Sequence, residues 1–435
     1  MMTMDSGLTL EIHHINVEAG DATAIVVRDT SNKIISKVLI DAGAEGKGYS
    51  RLESYAKKYL TNKLVSTPTD EMPGKTTVEP FDYIIASHYH NDHIDGFQFC
   101  NFPFNQHIDI GGYEVFKPIN GKGVDGTAKY FVRYRDYIEK HKGATRKEIP
   151  FTTADNDKNK TGALEIELGV GTGIKLTCYC ANGILANGTN VLKNQKGKQR
   201  DQEYDPNDLS LAFILEWGDF RYFTAGDLTG DTSFASYYNV EKPLVEYLTG
   251  KGGPLEGGKT ITVLKVDHHG SEYSTYQNED DEGNTFLKAL KPEVVIVPCN
   301  TRKQVPSQKF LVAAKAYCMS EKAPLLFVNQ LFYPKQNSRY VILDSIKTDL
   351  SSNLEYDDTN NPPYISSLKT NAVIIRRTSN PVSSDKEMLD AKDSERILLE
   401  GKDYEIIVTK GEVSLGERQK AITRISTYIL TGPID

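Results

Sequence analysis

The feature that most constrains this chain is a cluster of three histidines and an aspartate directly after a predicted buried strand. The apolar run at 83–86 predicts the strand, and His88, His90, Asp92 and His93 follow at its C-terminal end. In extended backbone His88 and His90 project to the same side, and Asp92 and His93 follow in the bend. Only nine histidines occur in the whole chain, which disfavours a polar loop that merely happens to contain three of them. Because imidazole mixed with carboxylate suits zinc, manganese or iron better than magnesium or calcium, the cluster predicts a metal site.

Composition restricts the partners and the cellular setting. The chain has 435 residues and a formal net charge of −8, from 51 basic and 59 acidic side chains, so bulk charge gives no general attraction to nucleic acid or anionic membranes. It contains neither an apolar run of the roughly 18 residues that cross a bilayer nor an N-terminal basic region followed by an apolar stretch. Its five scattered cysteines argue against a disulfide framework. We therefore expect a cytoplasmic enzyme with no membrane partner.

Hydrophobic periodicity predicts strands that alternate with helices, which is typical of α/β layers. The segment 8–27 predicts a hairpin that turns at Gly20-Asp21. The other predicted strands are 34–40, 164–168, 174–180, 209–217, 220–224, 261–266, 293–298, 371–376 and 404–408, and the predicted helices are 50–60, 127–142, 233–248 and 284–290. We predict a main domain over 8–345 and a C-terminal extension over 346–435 whose strands pack on the same domain.

Further polar signals follow other predicted strands. Asp41 follows the strand at 34–40, Asp227 follows the strand at 220–224, and His268 and His269 follow the strand at 261–266. Strand ends on one side of an α/β sheet are where such folds place their sites. Taken singly, Asp227 suits an ordinary turn, and His268 with His269 suits a structural pair. Their joint occurrence, in this order, predicts a single site.

Other polar segments have structural interpretations. His13 and His14 lie within the first strand and are interpreted as structural histidines. The basic side chains of the loop at 187–207 indicate a solvated loop rather than an arm that guides phosphates, and the stretch at 351–363 is typical of a linker. The basic residues of that loop are Lys193, Lys196, Lys198 and Arg200.

Together these motifs resemble the metallo-β-lactamase-fold hydrolases. The run from His88 to His93 matches the signature of that superfamily, and Asp227 matches its bridging aspartate. A closer resemblance, over roughly residues 10 to 300, is to the metallo-β-lactamase-like domain of the DNA-uptake competence membrane protein and its stand-alone relatives. The resemblance implies a four-layer αββα sandwich with insertions, and metals at one sheet edge. The segments that carry it are 17–22, 39–43, 87–93, 220–228 and 265–271.

The resemblance also implies two divalent metal ions, with zinc expected first and manganese as the alternative. The first metal would be held by His88 and His90, and the second by Asp92 and His93. Asp227 would bridge the two metals.

One late histidine would complete the second metal site. We favour His269, because related metallo-ribonucleases place the ligand before a small residue and a serine, as His269 precedes Gly270-Ser271. His268 is then a possible ligand and the candidate general acid, and Asp92 is the other residue predicted to be catalytic. Asp41 would support a ligand histidine from behind. The assignment of His268 and His269 stays open at this point.

The sequence departs from the superfamily pattern at the middle histidine. Between His93 and Asp227 only His107 and His141 occur, and neither convincingly follows a strand. Competence-type relatives commonly lack this histidine and carry Asn-x-x-Ser, which Asn207 and its downstream serine match. Asn207 is therefore a possible ligand, and we expect the first metal to bind more weakly than the second. The late His-Pro of many relatives is Val305-Pro306 here, and the usual glycine after the signature's last histidine is Asp95-Gly96.

We expect a hydrolase in which two metals bridge a water, lower its pKa and direct hydroxide at an ester, most favourably a small phosphoester or a nucleic acid. The acidic composition weakly disfavours long nucleic acid as a high-affinity partner. One alternative is a metal-binding but catalytically silent scaffold, which the absent histidine and Val305 favour. A second alternative is a hydrolase of thioesters or lactams, including one of glyoxalase type. A third is a redox di-iron enzyme, which is disfavoured because this sequence shows no flavodoxin-like segment of the kind that usually accompanies such enzymes.

Overall fold

The structure is a computed structural model. It describes residues 7–17, 20–44, 47–62, 78–111, 127–152, 161–192, 205–230, 238–275, 286–298, 305–307, 310, 313–314, 317, 321, 325–327, 370–378, 394–398 and 402–410. The basic residues Lys193, Lys196, Lys198 and Arg200 and the stretch at 351–363 lie outside this range. Within it, no helix combines the length and apolar character needed to cross a membrane.

Strands dominate the described chain. The strands are β1 (Thr9–Ile15), β2 (Thr23–Arg28), β3 (Ile34–Ile40), β4 (Phe81–Ile85), β5 (Phe104–Ile108), β6 (Thr145–Arg146), β7 (Leu164–Glu167), β8 (Lys175–Ala181), β9 (Ile184–Leu185), β10 (Ala212–Trp217), β11 (Phe220–Thr224), β12 (Val263–Lys265), β13 (Val294–Val297), β14 (Leu325–Phe327), β15 (Thr370–Thr378), β16 (Ser394–Leu398) and β17 (Tyr404–Lys410). The helices are α1 (Lys47–Tyr59), α2 (Asn91–Cys100), α3 (Thr127–Lys140), α4 (Glu241–Thr249) and α5 (Phe286–Leu290), and short 3-10 helices span Pro150–Thr152, Pro206–Leu209 and Asp267–Gly270.

These strands form two mixed sheets. The first has nine strands in the order β16-β17-β15-β1-β2-β3-β4-β5-β6, in which β3 to β6 are parallel and the remaining pairs are antiparallel. The second has the order β14-β13-β12-β11-β10-β8-β7, with β9 beside β8, and its parallel part runs from β11 to β14. The predicted hairpin of β1 and β2 is confirmed, because the two strands pair antiparallel.

Two neighbouring side chains of β1 show the order of the layers, because successive side chains of a strand point to opposite faces. His13 Nδ1 lies 2.8 Å from the hydroxyl of Tyr55 on α1, whereas the ring of His14 lies 5.5 Å from that of Tyr222 on β11. The next residue of β11, Phe223, contacts Phe286 of α5 at 5.5 Å between ring centroids. The order is therefore helix, sheet, sheet, helix, and the predicted αββα class is confirmed. A continuous apolar core joins the two sheets.

The C-terminal strands extend the first sheet. β15 pairs antiparallel with β1 along its full length, and β17 then pairs with β15. The stretch between the two predicted strands 371–376 and 404–408 contains an additional strand, β16, which pairs antiparallel with β17. The division of the chain at residue 345 stays a prediction.

A buried ionic cluster fastens β1 to its neighbours. Glu11 Oε2 accepts a hydrogen bond from Arg28 Nε at 2.9 Å and lies 3.2 Å from His13 Nε2. Arg28 also donates to the carbonyl of Tyr59 at the end of α1. Burial would raise the pKa of Glu11, but the hydrogen bond with His13 and the charge of Arg28 lower it to about 2. His13 thus has the structural role expected from the sequence.

Glu11→Gln should destabilise the protein at neutral pH and much less in acid. A carboxyl whose pKa falls from 4.5 to about 2 on folding contributes about 3 kcal/mol above pH 4.5, and this contribution is lost as the pH falls toward 2. Urea denaturation of both proteins between pH 7 and pH 3 measures the difference. The control is Glu148→Gln, whose side chain is 65% exposed in its ion pair with Arg146. A difference that does not shrink on acidification would contradict this assignment.

Candidate metal centre

The predicted site residues of both sheets meet where parallel strands end. Asp41 directly follows β3, the cluster beginning at His88 follows β4, Asp227 follows β11, and the pair beginning at His268 follows β12. Asn207 enters from the 3-10 helix Pro206–Leu209. The carboxyl ends of parallel strands lie at the same sheet edge, so the topology brings residues far apart in sequence to one place.

One group of candidate ligands is linked to the Oδ2 atom of Asp227 through His88 and His268, and we call it the first donor set: His88, His90, Asn207 and His268. His88 Nε2 lies 3.0 Å from His90 Nδ1 and 3.8 Å from Asp227 Oδ2. His268 Nε2 also lies 3.8 Å from Asp227 Oδ2, and it is 3.5 Å from Asn207 Nδ2. His88 and His268 therefore lie at the same distance from one carboxylate oxygen, and His90 and Asn207 each lie beside one of these two rings.

A second group faces Asp227 Oδ1, and we call it the second donor set: Asp92, His93 and His269. His93 Nε2 lies 3.1 Å from Asp227 Oδ1, and His269 Nε2 lies 3.5 Å from the same oxygen. His269 Nε2 is also 3.7 Å from Asp92 Oδ2. Asp227 therefore stands between the two sets with one carboxylate oxygen toward each.

Buried polar atoms in this centre converge without making hydrogen bonds. His93 Nε2, His269 Nε2 and Asp227 Oδ1 have no hydrogen-bond partner within the part of the chain that the structure describes, although they lie close together. Such atoms are costly to bury unless another partner satisfies them. Ligands about 2.1 Å from a tetrahedral zinc ion lie roughly 3.4 Å apart, which is close to the separations found here. The donor atoms therefore fit a metal ion. Asn207 Oδ1 is a further buried acceptor that has no hydrogen-bond partner among the described residues.

Asp41 fixes the orientation of one histidine from each donor set. Its Oδ2 atom lies 2.8 Å from His93 Nδ1 and accepts a hydrogen bond from Ser87 Oγ at 2.7 Å, while the Ser87 amide donates to Oδ1 at 2.8 Å. Ser87 Oγ lies 3.1 Å from His88 Nδ1. Placing the proton of each histidine on Nδ1 leaves Nε2 as the free ligand atom. This is the supporting position that the sequence predicted for Asp41.

Asp21 and Lys265 also belong to the centre, although the sequence analysis did not single them out. Asp21 Oδ1 lies 3.3 Å from His269 Nδ1, and Asp21 Oδ2 lies 2.5 Å from Lys265 Nζ. His269 Nδ1 is also 3.0 Å from the carbonyl of Pro298. The available signal was a lysine near the end of an otherwise apolar strand, a position where an unpaired charge is costly.

The backbone is unusual where it turns into the site. Asp41, His268 and His269 have φ values of 57°, 46° and 54°, in the left-handed region that residues other than glycine rarely adopt. Gly20 has a φ of 90°, and a Cβ atom there would lie 1.6 Å from the carbonyl oxygen of Asp92. A glycine is therefore required where the β1–β2 turn packs against α2.

The structure differs from the expected bend at Asp92 and His93, because both lie in the first turn of α2. A negative side chain such as Asp92 is favourable there, since a helix N-terminus carries partial positive charge. Gly96 follows in the same helix and lets it approach the carbonyl of Ala42, because a Cβ atom at this position would lie 1.9 Å from that oxygen. Gly96, which follows Asp95 after the last histidine of the signature, thus lies in close contact with the backbone of Ala42.

The electrostatic state of the centre reflects its excess of carboxylates. Burial would lower the pKa of His93, but facing Asp227 and Asp41 raise it well above its usual value. Burial would likewise lower the pKa of His269, but the charges of Asp227 and Asp21 raise this pKa to about 10. The positive charges of these histidines hold the pKa of Asp227 well below its usual range despite burial. A bound cation can replace the two histidine protons as the neutralising charge.

His88 and His268, each 3.8 Å from Asp227 Oδ2, have lowered pKa values instead. Burial and the neighbouring charge of His93 hold the pKa of His88 well below its ordinary value. Burial lowers the pKa of His268 to about 4, even though Asp227 opposes the shift. Both rings are therefore neutral near pH 7, which is the form that binds metals.

No middle histidine joins either donor set; all nine histidines lie in the described range. His107 is on β5, 3.8 Å from Asp109, and His141 Nδ1 lies 2.9 Å from the carbonyl of Tyr137. Ser210, from the Asn-x-x-Ser segment, accepts a hydrogen bond from the Asp227 amide at 3.2 Å. The segment after Val305 approaches the site through the Ser307 amide, which donates to Gly270 at 2.7 Å.

The chain has matches of low similarity among solved structures. A presumptive metal-dependent hydrolase from Parabacteroides distasonis is 9% identical, with 72% of this chain and 96% of that chain covered at a TM-score of 0.31. Zn²⁺-bound PqqB from Methylobacterium extorquens is 9% identical, with 71% and 95% covered at 0.32. An AiiA variant from B. thuringiensis, with N-decanoyl-L-homoserine at its active site, is 12% identical, with 51% and 75% covered at 0.21. No protein-family model and no curated protein matches the chain.

Zinc binding at pH 7 should release about two protons per protein, because His93 and His269 have raised pKa values and must lose their protons to become ligands. Calorimetric titration in buffers of different ionisation enthalpy measures this number. His141→Ala should release the same number, since that ring lies outside both donor sets. Zinc binding without proton release would show that the two histidines do not act as ligands.

Proposed function

We propose that the protein is a metal-dependent hydrolase that cleaves phosphodiesters or related phosphoesters. The observation that carries the proposal is the position of Asp227, whose two oxygens face two separate sets of metal-binding side chains. Paired metal sites bridged by a carboxylate are typical of enzymes that hydrolyse esters, amides and phosphoesters.

His88 and His90 would hold a first metal ion, with Asn207 or His268 as a further ligand. Asp92, His93 and His269 would hold a second, and Asp227 would be shared by the two sets. Zinc is the expected metal and manganese the alternative, because imidazole and carboxylate donors suit both. When bound, such ions lower the pKa of water and stabilise developing negative charge on the substrate.

His268 is the proposed general acid. Its side chain is 16% exposed, whereas that of His269 is 3% exposed, so His268 is the more accessible of the two. Its lowered pKa of about 4 means that it must gain a proton when an anionic substrate binds beside it. Ser271 Oγ lies 3.2 Å from His268 Nδ1 and can fix the ring so that Nε2 faces the substrate. Asp92, the other proposed catalytic residue, lies beside the ligand atom of His269.

The proposed substrate class rests on the resemblance to competence-type domains, whose motifs favour phosphorus over lactam substrates. The absence of a middle histidine, a usual ligand in lactam and thioester hydrolases of this fold, favours the same class. The acidic composition favours a small phosphoester over long nucleic acid. The alternative from a different functional class is a scaffold protein that binds metal but has no catalytic activity.

The protein should hydrolyse phosphodiesters only when loaded with metal. The test is a panel of bis-nitrophenyl phosphate, single- and double-stranded DNA, RNA, a thioester and a lactam, run with zinc and with manganese. Asp227→Ala and His90→Ala should abolish turnover by removing the bridge or a ligand. Hydrolysis of only the thioester or lactam would overturn the substrate class, and no hydrolysis with both metals bound would favour the silent scaffold.

His268→Ala separates the two possible roles of that residue. If His268 is the general acid, the variant should retain both metals and turn over about 100-fold or more slowly. Elemental analysis of the purified variant supplies the metal count, and steady-state kinetics supplies the rate. Loss of one metal would instead make His268 a ligand of the first site.

A further inference from the structure

A lysine and an aspartate form a buried ion pair directly beneath the second donor set. Lys265 is on β12 of the second sheet and Asp21 lies in the β1–β2 turn of the first, so the pair joins the two sheets. Both side chains are at most 3% exposed, and the two charged atoms are 2.5 Å apart. Charge-assisted hydrogen bonds of this kind are strong when they are shielded from water.

Each member of the pair also contacts a segment that presents a metal-binding side chain. Lys265 Nζ donates to the carbonyl of Gly226 at 3.1 Å, immediately before Asp227. Asp21 Oδ1 faces His269 Nδ1 at 3.3 Å, and the Asp21 amide donates to the carbonyl of Asp92 at 3.1 Å. The pair thus contacts the side chain of His269, the backbone of Asp92 and the residue before Asp227.

We propose that Lys265 and Asp21 are positioning residues that set the metal affinity of the second donor set, an inference that rests on the proposed metal centre. The Asp21 carboxylate and the Pro298 carbonyl both face His269 Nδ1, so together they favour the proton on Nδ1 and leave Nε2 as the ligand atom. The Lys265 ammonium pairs with the other oxygen of Asp21 and so keeps this carboxylate beside His269, and its contact with the Gly226 carbonyl holds the loop before Asp227 in place. Without this ammonium, Asp21 would be a buried carboxylate with one neighbour fewer to neutralise it.

The pair reaches the first donor set through the Gly226 carbonyl, which also accepts a hydrogen bond from the His268 amide. Asp41 and Ser87 orient His88. Loss of the pair should therefore weaken metal binding at the second donor set more than at the first. If the salt bridge merely joined the two sheets, its loss would lower the stability of the protein but would not weaken one metal more than the other.

Lys265→Met removes the charge and keeps much of the side-chain volume, and Asp21→Asn removes the carboxylate while keeping its shape. Each should weaken the metal equivalent of the second donor set by about 10- to 100-fold and the other equivalent much less. Cobalt(II) titration followed by visible absorption measures both steps and reports ligand geometry. The double variant should lose little more than either single variant, because both substitutions remove the same interaction.

Lys37→Met is the matched control. Lys37 is also a buried strand lysine, 3% exposed, but its ammonium donates to the carbonyls of Leu60 and Glu79, outside both donor sets. It should lose stability and bind both metals as the unmodified protein does. Unchanged cobalt affinities in Lys265→Met and Asp21→Asn, or an equal loss in Lys37→Met, would overturn the proposal.

The titration does not depend on any substrate, which separates this proposal from the proposed activity. If the pair variants lose one metal but no ester is cleaved by the unmodified protein, the positioning role stands and the proposed function fails. If the unmodified protein binds no metal, the positioning role fails as well. If Lys265→Met does not fold, Asp21→Asn decides the outcome alone, because it leaves the lysine charge in place.

Discussion

The structure depends on a concentration of negative charge at the edge where the two sheets meet. The carboxylates of Asp21, Asp41, Asp92 and Asp227 are all buried within one small region. Such a group is unstable unless positive charge is placed among its members. In this chain the compensation comes from Lys265, from His93 and His269 with their raised pKa values, and from any cation bound at the donor sets. Metal affinity therefore follows from the same charges that the fold must neutralise.

Several irregular features of the chain serve this compensation. Asp41 and the two late histidines adopt left-handed backbone conformations, and Gly20 gives the room that brings Asp21 against α2. The Ser87 hydroxyl passes the orienting effect of Asp41 on to His88. Strained backbone of this kind persists when surrounding contacts hold it, and it is concentrated at functional sites. Here the contacts that hold it are the same hydrogen bonds that orient the ligand histidines.

The sequence predicted the αββα class and the side chains that come together, because these depend on local patterns. Apolar runs identified the strands, and polar residues directly after them identified the edge. The prediction of a bend at Asp92 and His93 was wrong, because the N-terminus of α2 begins within the histidine cluster. Strand β16 was missed because its mixed and charged composition resembles a loop, and pairing with β17 is what makes it a strand.

The roles of Asp21 and Lys265 depend on contacts between the two sheets, which no local pattern of the sequence records. The tautomers of His93 and His269 are likewise favoured by partners on other elements, and that of His88 by Ser87, which Asp41 orients. The division of Asp227 between two donor sets became visible only when distances from each of its oxygens were known. The first set lacks a middle histidine and includes Asn207 and His268, so the two donor sets are chemically different.

The central claim is that Asp227 lies between two metal ions. Diffraction from zinc-soaked crystals, recorded on both sides of the zinc absorption edge, tests it directly because the anomalous signal locates the metal alone. The account predicts two anomalous peaks, one beside each carboxylate oxygen of Asp227, with His88 and His90 at one and His93 and His269 at the other. A single peak, peaks away from Asp227, or no peak at full zinc loading would contradict it.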